Sequence, residues 1–158
     1  MTDPFVQLPV PERRYSHKQW VVTTDPVAFD VDVATAFLRD HSYWAPERTR
    51  AVEAVAAANS RCYSLLDGAG QMVGGCRAVT DFATFAWIAD VFVLPPARRE
   101  GLGKFLIECV TDDLAHVDRL FLGTRDAHGL YAQFGFVPTK RNERWMERLL
   151  PEAVSPSQ

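Results

Sequence analysis

Residues 91–106, VFVLPPARREGLGKFL, decide how the rest of the chain is read. The stretch opens as a strand, because Val91, Phe92 and Val93 are β-branched or aromatic. Pro95 and Pro96 end that strand, since neither has an N–H to give to a ladder. A short loop follows, carrying Arg98, Arg99, Gly101 and Gly103. Apolar residues at Leu102, Phe105, Leu106, Cys109, Val110 and Leu114 then recur at helical spacing. Strand, basic glycine-containing loop and helix together make an anion-binding device. The first N–H groups of a helix have no internal partner and carry the positive end of its dipole, and glycine lets backbone approach a phosphate closely.

Two nucleotide-binding patterns fail on residues. The Walker pattern needs Gly-Lys followed by Ser or Thr, but Gly103-Lys104 is followed by Phe105, so no hydroxyl is available for Mg²⁺. The dinucleotide fingerprint needs a third glycine where Leu106 stands. A third pattern fits. Arg98, Gly101 and Gly103, with Val93 and Pro95 upstream, resemble motif A of the GNAT superfamily of acetyl-CoA-dependent N-acetyltransferases. A second piece lies downstream: residues 131–136, YAQFGF, resemble that family's Tyr-x-x-x-Gly-Phe. The resemblance covers roughly residues 18–149. The chain departs from the family at Arg99, where glycine often follows the motif's arginine; this adds charge and removes loop freedom.

The resemblance implies a fold and a chemistry. The fold is mixed α/β of the α+β type, with a central, mostly antiparallel twisted sheet splayed at the cofactor strand and helices on both faces. The cofactor implied is acetyl-CoA as cosubstrate, with no metal. Backbone N–H groups of residues 98–104 (Arg98, Arg99, Glu100, Gly101, Leu102, Gly103, Lys104) would cradle its pyrophosphate. Phe92 and Val93 would pair with the pantetheine arm, and Thr124 stands where many members carry an asparagine that touches that arm. Tyr131 would protonate the leaving thiolate. Asp90 stands in the strand where many members place a carboxylate base. His128, three residues before Tyr131, shares its helix face and could relay a proton. For each, a packing or solvated role is the alternative.

The acceptor side falls to the loop around Ser42, Tyr43 and Trp44, whose two adjacent aromatics wall a pocket or cover the core. Only Glu47 among residues 41–50 is acidic, which favours a small, partly apolar primary amine over a polyamine. Trp145 and Met146 read as core with the same pocket as alternative, and Trp20 and Trp87 read as core. The main rival from another class is a non-catalytic acyl-CoA-binding sensor or regulatory module.

Working outward, residues 1–17 carry three prolines and no period, and are expected to be a mobile arm. Residues 18–150 form the catalytic domain, and 151–158 a flexible tail. Strands are expected at 19–24, 61–66, 71–80, 85–93, 119–123, 136–137 and 144–149. Helices are expected from Asp30 or Asp32 to about 39, over 47–58, from 102 to about 116, and from an Asp126 cap to about 134. Asp67 to Gly70 read as a hairpin turn, and Gly74-Gly75 as a bulge or close approach.

At 158 residues the chain is one domain's worth. A net charge of −3 gives no support to a nucleic-acid or anionic-membrane surface. No apolar run nears the ~18 residues of a membrane span. Three widely spaced cysteines make no disulfide frame or metal cluster, and fit a reducing cytoplasm. A homodimer is compatible with the resemblance, while the general base, the acceptor and acyl groups larger than acetyl are not legible.

Overall fold

The computed structural model describes residues 10–140 and 142–149. Six strands form one sheet in the order β1-β2-β3-β4-β5-β6. They are β1 (Arg14–His17), β2 (Trp20–Thr23), β3 (Arg61–Leu66), β4 (Met72–Thr80), β5 (Ala86–Val93) and β6 (Leu120–Leu122). Every neighbouring pair is antiparallel except β5 and β6, which run parallel. Four helices complete the fold: α1 (Val31–His41), α2 (Arg50–Ala58), α3 (Leu102–Asp113) and α4 (His128–Ala132).

The helices begin where side chains satisfy their first N–H groups. Asp30 accepts from the N–H groups of Asp32 and Val33 at 2.9 and 3.1 Å and fixes the start of α1. Thr49 caps α2, three residues later than expected, by accepting from Val52 N–H. The Asp67 turn closes as read: Gly70 N–H bonds to its carbonyl, and its own N–H donates to Gln71 O.

The two sheet faces have separate cores. On one, Leu102, Leu106, Cys109 and Val110 of α3 pack on Tyr63, Leu65, Ala78 and Ile88. On the other, Ala34 and Phe37 of α1 meet Cys62, Leu66, Met72 and Phe92, with Phe37 stacked on Phe92 at 4.7 Å. Each fully buried Leu or Ile contributes about 1.5–3 kcal/mol. Gly74 and Gly75 are required by contact. A Cβ on either would stand 2.6 Å from a neighbouring carbonyl, Phe92 O or Tyr63 O.

Four expectations are corrected. Residues 14–17 are not arm but strand, paired with β2 in register Arg14↔Thr23 to His17↔Trp20; residues 1–9 lie outside the described residues. Residues 136–137 and 144–149 form no strand: the segment from 142 is exposed, with a 3₁₀ turn at Asn142–Arg144. Asp126 does not cap α4; Thr124 Oγ1 instead accepts from Ala127 N–H at 3.0 Å. Neither Trp145 nor Trp87 is core: they are 54% and 42% exposed, and Met146 is almost bare. Trp20 is half-buried against the α3-side core. The tail from 150 lies outside the described residues.

Candidate active site

β5 is where the sheet opens. β6 pairs only with Ala86, Trp87 and Ile88, so among the described residues the rest of β5 has no partner on that edge. The register against β4 runs Gly75↔Phe92 and then Arg77↔Ala89, two residues on β4 against three on β5. The extra residue makes a bulge, and Asp90 sits in it at φ +55°, a left-handed conformation that Asp tolerates better than most side chains. Leu94 N–H donates to Val73 O at 2.8 Å, into β4, so the Val93 N–H and carbonyl face the open edge. Arg98 Nε already donates to that carbonyl at 3.0 Å. Phe92 turns its ring into the core.

Past a 3₁₀ turn at Pro95–Ala97 the chain reaches the loop singled out by sequence. Arg99 and Gly101 both adopt φ +72°. No side chain caps α3, so its first N–H groups point out of the loop unclaimed by any side chain. Arg98, Arg99, Glu100 and Lys104 are exposed around them. This is an anion cradle built mostly of backbone.

Beyond the fork lies a cavity of about 720 Å³, lined among others by Trp44, Arg77, Trp87, Asp90, Thr124 and Tyr131. Asp90 is its most connected residue. Oδ2 accepts from Arg77 Nε and Nη2 at 2.9 and 2.5 Å and from Arg48 Nη1 at 3.1 Å. Oδ1 accepts from the Trp44 indole at 3.0 Å. Arg48 Nη1 also donates to Glu53 Oε2 at 2.6 Å. Glu53 is wholly buried, and its Oε1 lies 3.7 Å from Arg77 Nε. Two guanidiniums and two carboxylates thus cancel in one buried cluster. Its members come from α2, β4, β5 and the α1–α2 loop.

Tyr131, the fourth residue of α4, is buried, and its ring meets Phe136 edge-on at 5.9 Å. It lines this cavity and a neighbouring one. Burial pushes its phenol up to about 12, so the hydroxyl stays a proton donor. Burial raises the Cys62 and Cys109 thiols to about 12 as well. The fold therefore keeps protons that an unfolded chain releases above about pH 9 to 10. Stability is expected to hold below that range and to fall as pH rises toward 12. A urea midpoint lower at about pH 10.5 than at about pH 8 would be the observation.

The remaining sequence candidates divide. Tyr43, Trp44 and Thr124 line the same cavity as Asp90 and Tyr131. Tyr43 spans its mouth: its hydroxyl accepts from Arg125 N–H at 3.0 Å, and the Arg125 guanidinium sits 3.8 Å over its ring. Ser42 is not at the cavity. Its hydroxyl donates to Leu38 O and accepts from Ala45 N–H, which ends α1 and shapes the loop. His128 is exposed and lines the neighbouring cavity rather than the one that holds Asp90.

Arg48, Glu53, Arg77 and Trp87 went unread as site residues. Two carried a signal. Arg77 stands between Cys76 and Ala78 in a strand buried on both sides, where a charge needs a partner. Glu53 shares a helical face with Ala56, Ala57 and Ser60, small residues that leave a carboxylate facing the sheet.

Comparison with known proteins gives consistent results. Residues 28–136 match the model of the acetyltransferase (GNAT) family. A Gibberella zeae protein, assigned to the acetyltransferases by name only, is 26% identical over 142 residues, 77% of this chain and 80% of that one. A solved Xanthomonas campestris structure, described as belonging to the GNAT family, is 36% identical with a TM-score of 0.79. The match covers 86% of this chain and 96% of that chain. A Staphylococcus aureus structure of unknown function has the same fold at 23% identity, TM-score 0.68, over 83% and 99% of the two chains.

Proposed function

Because the chain belongs to the acetyltransferase (GNAT) family, we propose that it moves the acetyl group of acetyl-CoA to the primary amine of a small molecule, by direct attack with both substrates bound. The observation that carries this is the alignment of three features: the uncapped start of α3, the unpaired edge of β5 and the cavity holding Tyr131. Bound acetyl-CoA would supply an activated thioester. The N–H groups of residues 99–104 would hold its pyrophosphate, with Arg99 and Lys104 adding charge; the Arg98 N–H, counted with them from sequence, is already given to Pro95 O. Val93 N–H, on the open edge, would pair with the pantetheine arm as a strand would.

Tyr131 donates a hydrogen bond to the sulfur as negative charge develops on it. An alkylamine has a pKa of about 10 and must lose a proton to attack. Asp90, with both oxygens engaged by three protein groups, is a fastener in this reading rather than the base. Asp126 is the exposed carboxylate at the cavity wall, only loosely paired with Arg125 at 3.8 Å, and the amine's proton would leave past it. His128 takes no part. The buried free thiols of Cys62, Cys76 and Cys109 fit a reducing cytoplasm. Among the described residues no helix is long and apolar enough to cross a membrane.

Calorimetry tests the loop. Acetyl-CoA should bind at roughly 1 μM, about −8 kcal/mol. Gly101→Val should weaken it at least tenfold, because a β-branched residue at φ +72° is strained by about 1–2 kcal/mol and moves the first N–H groups of α3. A folded Gly101→Val protein with unchanged affinity would remove the loop from the site. Thiol release from acetyl-CoA across an amine panel tests the transfer itself.

A further inference from the structure

We propose that Trp87 is an acceptor-binding residue and that the acceptor carries a flat aryl group beside its amine, an inference that rests on the acetyl-transfer reading above. The sheet face explains why this tryptophan is bare. Arg77 and Ala89 face each other across β4 and β5, and Arg77 is covered by Glu53 of α2. Two residues on, the same face carries the pair Val79 and Trp87. Neither joins a core cluster, and they remain 44% and 42% exposed. Period-two alternation puts Trp87 on a face that, further along, is core; α2 ends its cover one pair too early.

A half-exposed indole in mid-sheet is an unusual use of the largest side chain, and here it lines the cavity. Gly123 passes beside it, where even a Cβ would touch Cη2 at 3.7 Å, so the glycine keeps the ring edge open. The second aromatic surface is Trp44, half-exposed and held in place through its bond to Asp90. Tyr43 offers less, since Arg125 covers one face of its ring. The cavity is therefore lined by two half-exposed indoles together with Tyr131.

Charge argues against the alternative acceptors. Arg48 and Arg77 are matched by Glu53 and Asp90, and Arg125, the third arginine at the cavity, stands beside Asp126 and over the Tyr43 ring, so every cation there has a counter-charge before a carboxylate or phosphate arrives. A polyamine needs several free carboxylates, and the cavity wall offers Asp126 outside the cluster. A single amine on an aryl group asks least of these charges: rings for the ring, and a ring face on which the ammonium can rest.

The test uses phenethylamine, n-hexylamine and spermidine, as acceptors with acetyl-CoA and as ligands titrated calorimetrically into the CoA-saturated protein. Phenethylamine should give the highest kcat/KM. Trp87→Ala, at an exposed position that leaves the core intact, should raise the phenethylamine KM and Kd at least about tenfold. It should leave acetyl-CoA affinity unchanged and close the gap to n-hexylamine. Trp87→Phe should keep most of the preference. Spermidine as best substrate, equal phenethylamine constants in wild type and Trp87→Ala, or no phenethylamine binding would each overturn the proposal. Failure of acetyl-CoA to bind would instead sink the acetyl-transfer reading. Phenethylamine binding to the protein alone, lost in Trp87→Ala, would then still establish the aryl-amine site.

Discussion

Tyr131→Phe is expected to lower kcat by about 10²-fold, the low end for general acid catalysis, while acetyl-CoA affinity hardly moves. The substitution removes one oxygen and keeps the ring on Phe136, so packing is preserved. What is lost is the donor facing the cavity where β5 and β6 part. Because burial holds the phenol up to about 12, this donor keeps its proton through any ordinary assay pH, and no alkaline loss of kcat should trace to it. Steady-state kinetics on the variant decide the point. An unchanged kcat would leave Tyr131 as a packing residue.

Asp90→Ala should be the most destabilising single change at the site. It strips the shared counter-charge from one buried and one half-buried guanidinium and the bond that holds Trp44. Breaking such a pair from one side costs about 3–5 kcal/mol, against a total stability of about 5–15 kcal/mol. Urea unfolding measures this directly. Asp90→Asn, which can still accept from Trp44 and tolerates the left-handed backbone, should lose less. A variant Asp90→Ala that unfolds like the wild type yet is inactive would return Asp90 to the role of general base.

The parts of the site that lie within one sequence window were legible. The loop at 98–104 and Tyr131 each sit in a local pattern whose chemistry follows from the backbone or from a single side chain. The Arg77–Asp90–Arg48–Glu53 cluster was not, because it closes only when α2 packs on the sheet. No local signal tells any of these charges which partner it will meet. Trp87 shows the limit of periodicity: alternation assigns a face, but not whether a helix reaches far enough to cover it. The strand at 14–17 was missed because RYSH is mostly exposed and has no apolar alternation to read. At 144–149 the error ran the other way. Aromatic and β-prone residues suggested a strand, but strand propensity measures packing on a partner, and this segment is exposed and unpaired among the described residues.

The cancelling cluster also separates how the two substrates would arrive. Four opposed charges within a few ångströms project almost no field into solvent, so an amine nearing the cavity wall meets it by unassisted diffusion. The loop before α3 behaves differently. Arg98, Arg99 and Lys104 stand exposed there, and their potential reaches about 10 Å at 0.1 M salt before ions screen it. A polyanionic thioester would be steered to that loop, at a rate that falls as ionic strength rises, while the cluster itself would add no salt dependence to the acceptor's on-rate.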